Sequence, residues 1–378
     1  MAPLAGLKVL ELARILAGPW AGQTLADLGA EVIKVESPDG DDTRRWGPPF
    51  IEHDGETNAA YFHACNRGKS SVIADLKTQE GRETVYSLVR EADVLIENFK
   101  VGSLAKFGLD YASASKLNPQ LIYCSITGFG LDGPYANRAG YDYVLQGMSG
   151  LMSFTGEPDG QPMKSGVAIT DVFTGLYSVI AIQAALAQRN RTGTGQHIDM
   201  SLMDAAVAVT ANQALNYLAT GDAPKRLGNA HPNLMPYQVF ECSDGWAIVA
   251  VGNDRQFRSL CQLLDRADLR DNPRFETNAK RLAARDELTQ MLQSSIIEWA
   301  KADLLTTCEK SGVPAGPIND MNDVFDDPQV IARGLQIDGE GVPGVRTPIV
   351  FSDAELAFGK PAPNLGQGRS QFTFKDES

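Results

Sequence analysis

Pro3-Leu-Ala-Gly-Leu-Lys-Val-Leu-Glu-Leu-Ala13 and Leu28-Gly-Ala-Glu-Val-Ile-Lys-Val-Glu36 flank a run with helical spacing at residues 19–28. Residues 8–12 and 31–35 read as short apolar strands, and between them Trp20, Leu25 and Leu28 can share one helical face. Pro19 suits a first helical turn. Working outward, the pattern repeats with a strand at 71–74, a helix at 79–91, and strands at 94–96 and 121–125. Short apolar strands separated by helices predict an α/β fold whose parallel sheet is covered on both faces. The first strand-to-helix turn carries Ala17-Gly-Pro19, not G-x-G-x-x-G, so the pattern is Rossmann-like without support for a dinucleotide. Gly18 reads equally as a tight turn or as part of a helix N-terminus that receives an anionic or polar part of a ligand.

Residues 171–188 form a long helical pattern, apolar on most faces and expected to be buried. A strand at 197–200 and a helix at 202–219 follow. Near residue 221 the composition shifts, and Gly221-Asp-Ala-Pro-Lys-Arg226 reads as a linker. Residues 225–325 then carry strands at 237–241 and 246–251 and three charged helices, a smaller α+β domain. After Asp327-Pro328 short strands are expected, one of them Thr347-Pro-Ile-Val-Phe351.

With 378 residues, the chain can bury the cores of two domains. Its net charge of −13 argues against nucleic acid, although local basic groups can still hold an anionic ligand. The five cysteines form no C-x-x-C pair and no cluster with zinc spacing, so no metal is expected. Reduced thiols and the lack of a secretory pattern point to a cytoplasmic protein, and no stretch reads as long enough to span a membrane.

The candidate chemical group is Asp171, in Gly166-Val-Ala-Ile-Thr-Asp-Val-Phe-Thr-Gly175, where an apolar stretch meets the start of the long helix. A carboxylate there is expected to stay ionised, because helix-terminal N–H groups and the dipole favour the anion. An ionised carboxylate can act as a covalent nucleophile on an acyl group, whereas the plain alternative is an N-cap.

Around it lie Asn66-Arg-Gly-Lys-Ser70, Ala92-Asp-Val-Leu-Ile-Glu-Asn-Phe99, Gly128-Phe-Gly130, Asp132-Gly-Pro134, Arg138-Ala-Gly-Tyr-Asp142, Arg191-Thr-Gly-Thr-Gly-Gln196 and Met203-Asp204. With the opening stretches quoted above, this series closely resembles the class III CoA-transferases from residue 3 to about residue 352. The resemblance implies a large Rossmann-like domain built from both chain ends (1–200 and 331–378) and a linker helix at 201–224. A small α+β domain with its return linker would occupy 225–330, and two ring-like subunits would interlock as a homodimer. It implies that coenzyme A enters as the acyl-CoA substrate, with no tightly bound cofactor.

By the same resemblance, Asp171 is the nucleophile. Leu16, Ala17, Ala74, Lys77, Asn98, Phe99, Lys100, Lys106, Arg138 and Tyr141 are the matched CoA-binding positions. Lys106 stands where the family often has arginine, which keeps the charge but loses bidentate geometry. Ser37 stands where formyl-CoA transferase has an arginine, a charge for which Arg44 or Arg45 is the available substitute. Gly252-Asn-Asp-Arg-Gln-Phe257 is a candidate loop for stabilising an oxyanion. The stretch from His231 to Gln238 looks like the acyl-pocket segment of members acting on short dicarboxylates. Succinyl-CoA as donor and a short diacid as acceptor are therefore expected, with the distal carboxylate held by Arg44, Arg45 or His231. A related racemase is the competing reading. Such enzymes have histidine within Arg-Ala-Gly-His-Asp, where this chain has Tyr141, and tyrosine, with an ordinary pKa near 10, is a poor base. A non-catalytic CoA-binding protein is the further alternative.

Overall fold

A computed structural model describes residues 1–367 and residue 374; the remainder of the expected 331–378 segment lies outside the described residues. The chain divides into two compact units: residues 1–151, 164–222 and 328–378, and residues 152–163 and 223–327.

In the first unit, β1 (Lys8–Glu11), α1 (Ala17–Asp27) and β2 (Glu31–Glu36) form the βαβ unit read at the start of the chain. A small hairpin, β3 (Phe50–His53) with β4 (Glu56–Ala59), leads into α2 (Ala60–Asn66) and β5 (Ser70–Ile73). Then come α3 (Gln79–Glu91), β6 (Val94–Glu97), α4 (Tyr111–Leu117), β7 (Ile122–Thr127) and α5 (Asp142–Met148). The run continues with α6 (Ile169–Thr192), β8 (Gln196–Ser201), α7 (Leu202–Ala208) and α8 (Ala211–Thr220).

Six of these strands form one sheet in the order β5-β2-β1-β6-β7-β8, every pairing parallel. The period of two sorts their side chains. Val9, Val32, Ile96 and Cys124 face a core shared with α1 and α6, whereas Leu10, Ile33, Leu95 and Tyr123 face α3 and α4. Both faces are buried, which is why β6 and β7 are buried along their whole length. Connections run outward in opposite directions from β1 and β6, so a crevice opens beyond the carboxyl ends of these two strands.

The second unit pairs β9 (Tyr237–Cys242) with β10 (Gly245–Ala250) as an antiparallel hairpin. It continues through α9 (Asp254–Leu263), α10 (Ala267–Arg270), α11 (Asn278–Ala283), α12 (Arg285–Ile296) and α13 (Lys301–Lys310). Next, β11 (Ala315–Pro317) joins the sheet beside β10, and α14 (Met321–Asp326) follows. Its core holds Phe240, Phe257, Phe275 and Leu292. Arg226 ties the segment 152–163 into this unit by donating to the carbonyls of Glu157, Pro158 and Gly160. The chain then returns to the first unit through α15 (Pro328–Ala332), β12 (Gln336–Gly339) and β13 (Val342–Val345).

Several expectations need correction. Residues 202–219 are two helices, not one, interrupted where Ala211 takes a φ of 45°; both fall in the first compact unit, and the second of them buries none of its side chains. The small unit has more helices than the three expected, and it recruits residues 152–163. Residues 347–351 are not a strand, because Arg346 donates to the carbonyls of Thr347 and Ile349 and folds the segment back on itself. Finally, α6 is long and apolar enough to cross a membrane by length and composition. In this unit it buries one face, through Thr174, Gly175, Ser178, Val179 and Ile182, while Leu176, Tyr177 and Ile180 are exposed.

Candidate active site

The site forms where the N-termini of α1 and α6 meet the carboxyl ends of β1, β6 and β7. Close packing brings them together. A Cβ on Gly18 would lie 2.3 Å from the Cβ of Ala13, so the turn out of β1 needs glycine there. A Cβ on Gly175 would lie 2.7 Å from the carbonyl oxygen of Ala17, so glycine lets α6 lie directly against α1. Asp171, one turn before Gly175, thereby reaches the mouth of the β1–α1 turn.

A cavity of about 290 Å³ occupies this place. Of the sequence-derived positions, Leu16, Ala17, Asn98 and Phe99 line it, as do Lys100, Arg138, Tyr141 and Asp171. The Asn98 amide accepts from the Arg14 N–H at 2.9 Å and donates to the Arg14 carbonyl at 2.7 Å, joining the turns after β1 and β6. The buried Glu97 carboxyl accepts the Phe99 N–H at 2.8 Å. Arg138 lies over the rings of Tyr135 and Phe129, at 4.5 and 5.5 Å. Lys100, Arg138 and Arg14 give the cavity three cationic groups.

Asp171 is the third residue of α6. Its carboxyl has no hydrogen-bond partner among the described residues, and burial, followed by the nearby charge of Asp142, raises its pKa from 3.8 to about 7. The expectation of a firmly ionised carboxylate is therefore corrected. The α6 N–H groups that would have held it are used elsewhere: the Thr170 N–H donates to Asp142 Oδ1 at 2.8 Å, and the Val172 N–H to the Ala168 carbonyl. Asp142, not Asp171, receives the stabilising backbone donor.

Other expected positions lie away from the cavity lining. Ala74 is buried, with its N–H on the Glu36 carbonyl, and Lys77 is exposed beyond the end of β5. Lys106 is exposed with its ammonium 4.8 Å from the Phe107 ring. Arg44 is not free to clamp a substrate. Only 6% exposed, it grips Glu36 through two nitrogens at 2.6 and 2.9 Å and donates to Asn58 and to the Pro363 carbonyl. Arg45 reaches the Asp39 carbonyl and Asp42 on the surface. The geometry thus removes Arg44 from the substrate-binding set: a buried guanidinium needs its carboxylate, and Glu36 supplies it.

In the second unit, His231 Nδ1 accepts from the Asn233 N–H at 3.0 Å, and its ring packs 5.0 Å from that of Tyr237. Burial and the charge of Arg285 lower its pKa, which favours the neutral ring. The proposed oxyanion loop at 252–257 is the capped start of α9: the Gly252 N–H donates to Gln256 Oε1, and Asn253 accepts from the Gln256 N–H. That glycine donor is already occupied.

Arg14 and Tyr61 are among the residues that escaped sequence reading. Arg14 lines the cavity, and its place just past the first strand was the available signal. Tyr61, on α2, has its hydroxyl pKa pushed up to about 12 by burial and then by the charge of Asp171. No spacing marks Tyr61, since only folding carries α2 toward this site. Among the described residues, no group of three His, Cys, Asp or Glu side chains is placed to hold a metal ion.

A half-buried carboxyl beside cations and two helix starts, in a crevice at the switch point of a parallel sheet, is suited to attack on an activated acyl group of a phosphate-bearing ligand. A family model described as CoA-transferase family III matches residues 4–369. The chain is 60% identical over 377 residues to a succinate–glutarate CoA-transferase of Agrobacterium fabrum, covering 98% of this chain and 94% of that one. It is 44% identical over 371 residues to a human succinyl-CoA:glutarate CoA-transferase, covering 97% of this chain and 84% of that one. A crystal structure of a CAIB/BAIF family protein from Brucella suis superposes with a TM-score of 0.89 at 63% identity, covering 97% of both chains. The chain belongs to CoA-transferase family III and is a CoA-transferase enzyme.

Proposed function

We propose that the protein moves CoA from succinyl-CoA to a short dicarboxylic acid, with Asp171 as the nucleophile. The observation that carries this reading is the Asp171 carboxyl in one cavity with the turns 14–17 and 98–100. The names of the relatives, which pair succinyl-CoA or succinate with glutarate, support the substrate class.

In the proposed sequence, ionised Asp171 attacks the thioester carbonyl. An O–C bond forms, the C–S bond breaks, and CoA leaves as thiolate. The thiolate attacks the aspartyl carbonyl and expels succinate, leaving an aspartyl-CoA thioester. The acceptor carboxylate attacks that carbonyl, giving a new mixed anhydride and thiolate. Attack of the thiolate on the acceptor's acyl carbon then yields the new acyl-CoA and restores the Asp171 carboxylate. The cations at Lys100, Arg138 and Arg14 favour the phosphate and carboxylate charges brought into the cavity. Lys77 and Lys106, outside the lining, would serve the distal phosphates of CoA, and Arg45 the acceptor's far carboxylate. Exposed Ile180, Leu215 and Leu218 support burial against a second copy in a homodimer.

The test is mass spectrometry of the Asp171 peptide after incubation with succinyl-CoA and no acceptor. A CoA adduct on Asp171, together with loss of at least about a thousandfold in turnover by Asp171→Ala, is expected. No adduct, with turnover intact in Asp171→Ala, overturns the reading.

A further inference from the structure

Ile15 is the one β-branched residue among the described non-glycine residues with positive φ, at 71°. The left-handed region is strained for such a side chain and persists only where surroundings enforce it. The surroundings here are specific. The Ile15 N–H donates to both carboxylate oxygens of Asp41, at 3.2 and 3.4 Å. Just before it, the Arg14 backbone is held on both sides by Asn98, and the Ala13 carbonyl accepts from Lys34 Nζ at 2.8 Å. Lys34 in turn pairs with Asp41 and Glu11, each at 3.0 Å, and all three side chains are fully buried. Asp41 is itself fixed by the Thr43 N–H and hydroxyl, at 3.0 and 2.8 Å, and its own N–H donates to Glu36 at 2.9 Å. Three consecutive backbone units are thus pinned by side chains from β2, the loop after it, and the turn after β6.

With buried Lys69 also pairing with Glu11 at 2.8 Å, this is a four-residue ionic cluster, and such a cluster is weak evidence for stability, since packed apolar residues often serve as well. Its directed contacts fall on the strained turn, and that turn forms one wall of the Asp171 cavity.

We propose that Asp41 and Lys34 are positioning residues that hold Ile15 in its left-handed conformation and so set the β1–α1 turn to receive the acyl-CoA. This rests on reading the cavity as the acyl-CoA site. Without the Asp41 carboxylate, Ile15 relaxes to negative φ and the wall moves. Glycine at position 15 has no such preference and tolerates the turn unaided.

The test is a double-mutant cycle on kcat and KM for succinyl-CoA, with Asp41→Asn made in the Ile15 chain and in Ile15→Gly. In the Ile15 chain, Asp41→Asn is expected to lower kcat/KM at least tenfold, chiefly through KM. In the Ile15→Gly background the same change is expected to cost less than threefold. A purely structural role gives the same loss in both backgrounds, and that result, or no loss in the Ile15 chain, overturns the proposal. If Asp41→Asn fails to fold, Ile15→Pro decides, because it forces φ negative and removes the N–H that Asp41 holds while leaving every buried charge in place. A tenfold or greater loss in folded Ile15→Pro supports the proposal, and wild-type kcat/KM overturns it. Turnover retained by Asp171→Ala would sink the nucleophile reading instead and leave the cycle intact.

Discussion

Transfer is expected to titrate with Asp171, and Asp142 is expected to control the midpoint. The folded pKa near 7 stands about 3.2 units above the ordinary 3.8, a cost of roughly 4 kcal/mol for ionising the group in place. Only the anion attacks, so kcat/KM should fall about elevenfold at pH 6 and about a hundredfold at pH 5 relative to its alkaline plateau. Burial is the larger cause of the shift and the Asp142 charge the smaller. Asp142→Asn should therefore move the midpoint toward acid by the smaller part of the shift, leaving in place the larger part that burial causes. The amide keeps a carbonyl oxygen for the Thr170 N–H, so the helix start survives, but the contact from Gln146 at 2.7 Å is compromised. The diagnostic quantity is accordingly the midpoint and not the absolute rate. The assay is kcat/KM for transfer from succinyl-CoA between pH 5 and 9, read by mass of the new thioester, with circular dichroism confirming the fold at each pH. A wild-type profile flat to pH 5, or a midpoint unmoved by Asp142→Asn, would refute the reasoning.

The same shift has a stability consequence. A carboxyl whose folded pKa is raised favours the folded state at low pH, and this contribution is lost as pH rises from about 4 through about 7. Asp171→Asn should therefore gain stability relative to wild type at pH 8 compared with pH 4, by at most about 4 kcal/mol in urea unfolding, and an unchanged difference would contradict it. Gly175→Ala places a Cβ against Ala17 and Trp20 and should cost about 1–3 kcal/mol while lowering kcat/KM; wild-type stability would mean that α6 moves freely. Arg44→Ala strands buried Glu36 and should cost about 3–5 kcal/mol, whereas a stable variant with altered acceptor preference would restore Arg44 as a substrate clamp. Tyr141→His should impair transfer without creating a racemase, and rapid deuterium uptake at the α-carbon of a 2-methylacyl-CoA by the unmutated chain would favour the racemase branch.

The sequence by itself determined the elements of the sheet and the family. Residues 8–12, 31–35 and 94–96 carry apolar side chains for both faces of a parallel sheet, and that periodicity is local information. Asp171 is marked by its place at a helix start, which is local, whereas the positions 16–17 and 98–100 come from the resemblance to the family. Tertiary structure decided what those groups can do. Arg44 looked available beside Asp41 and Asp42, yet it pairs with Glu36 and reaches a carbonyl 319 residues away. The long helix looked buried all round, yet one of its faces is exposed. Asp171 looked ionised, yet a residue 28 positions before Thr170 takes the backbone donor, and burial raises its pKa. Charge state depends on which dipoles and charges surround a group in space, and those neighbours are set by packing between segments far apart in the chain.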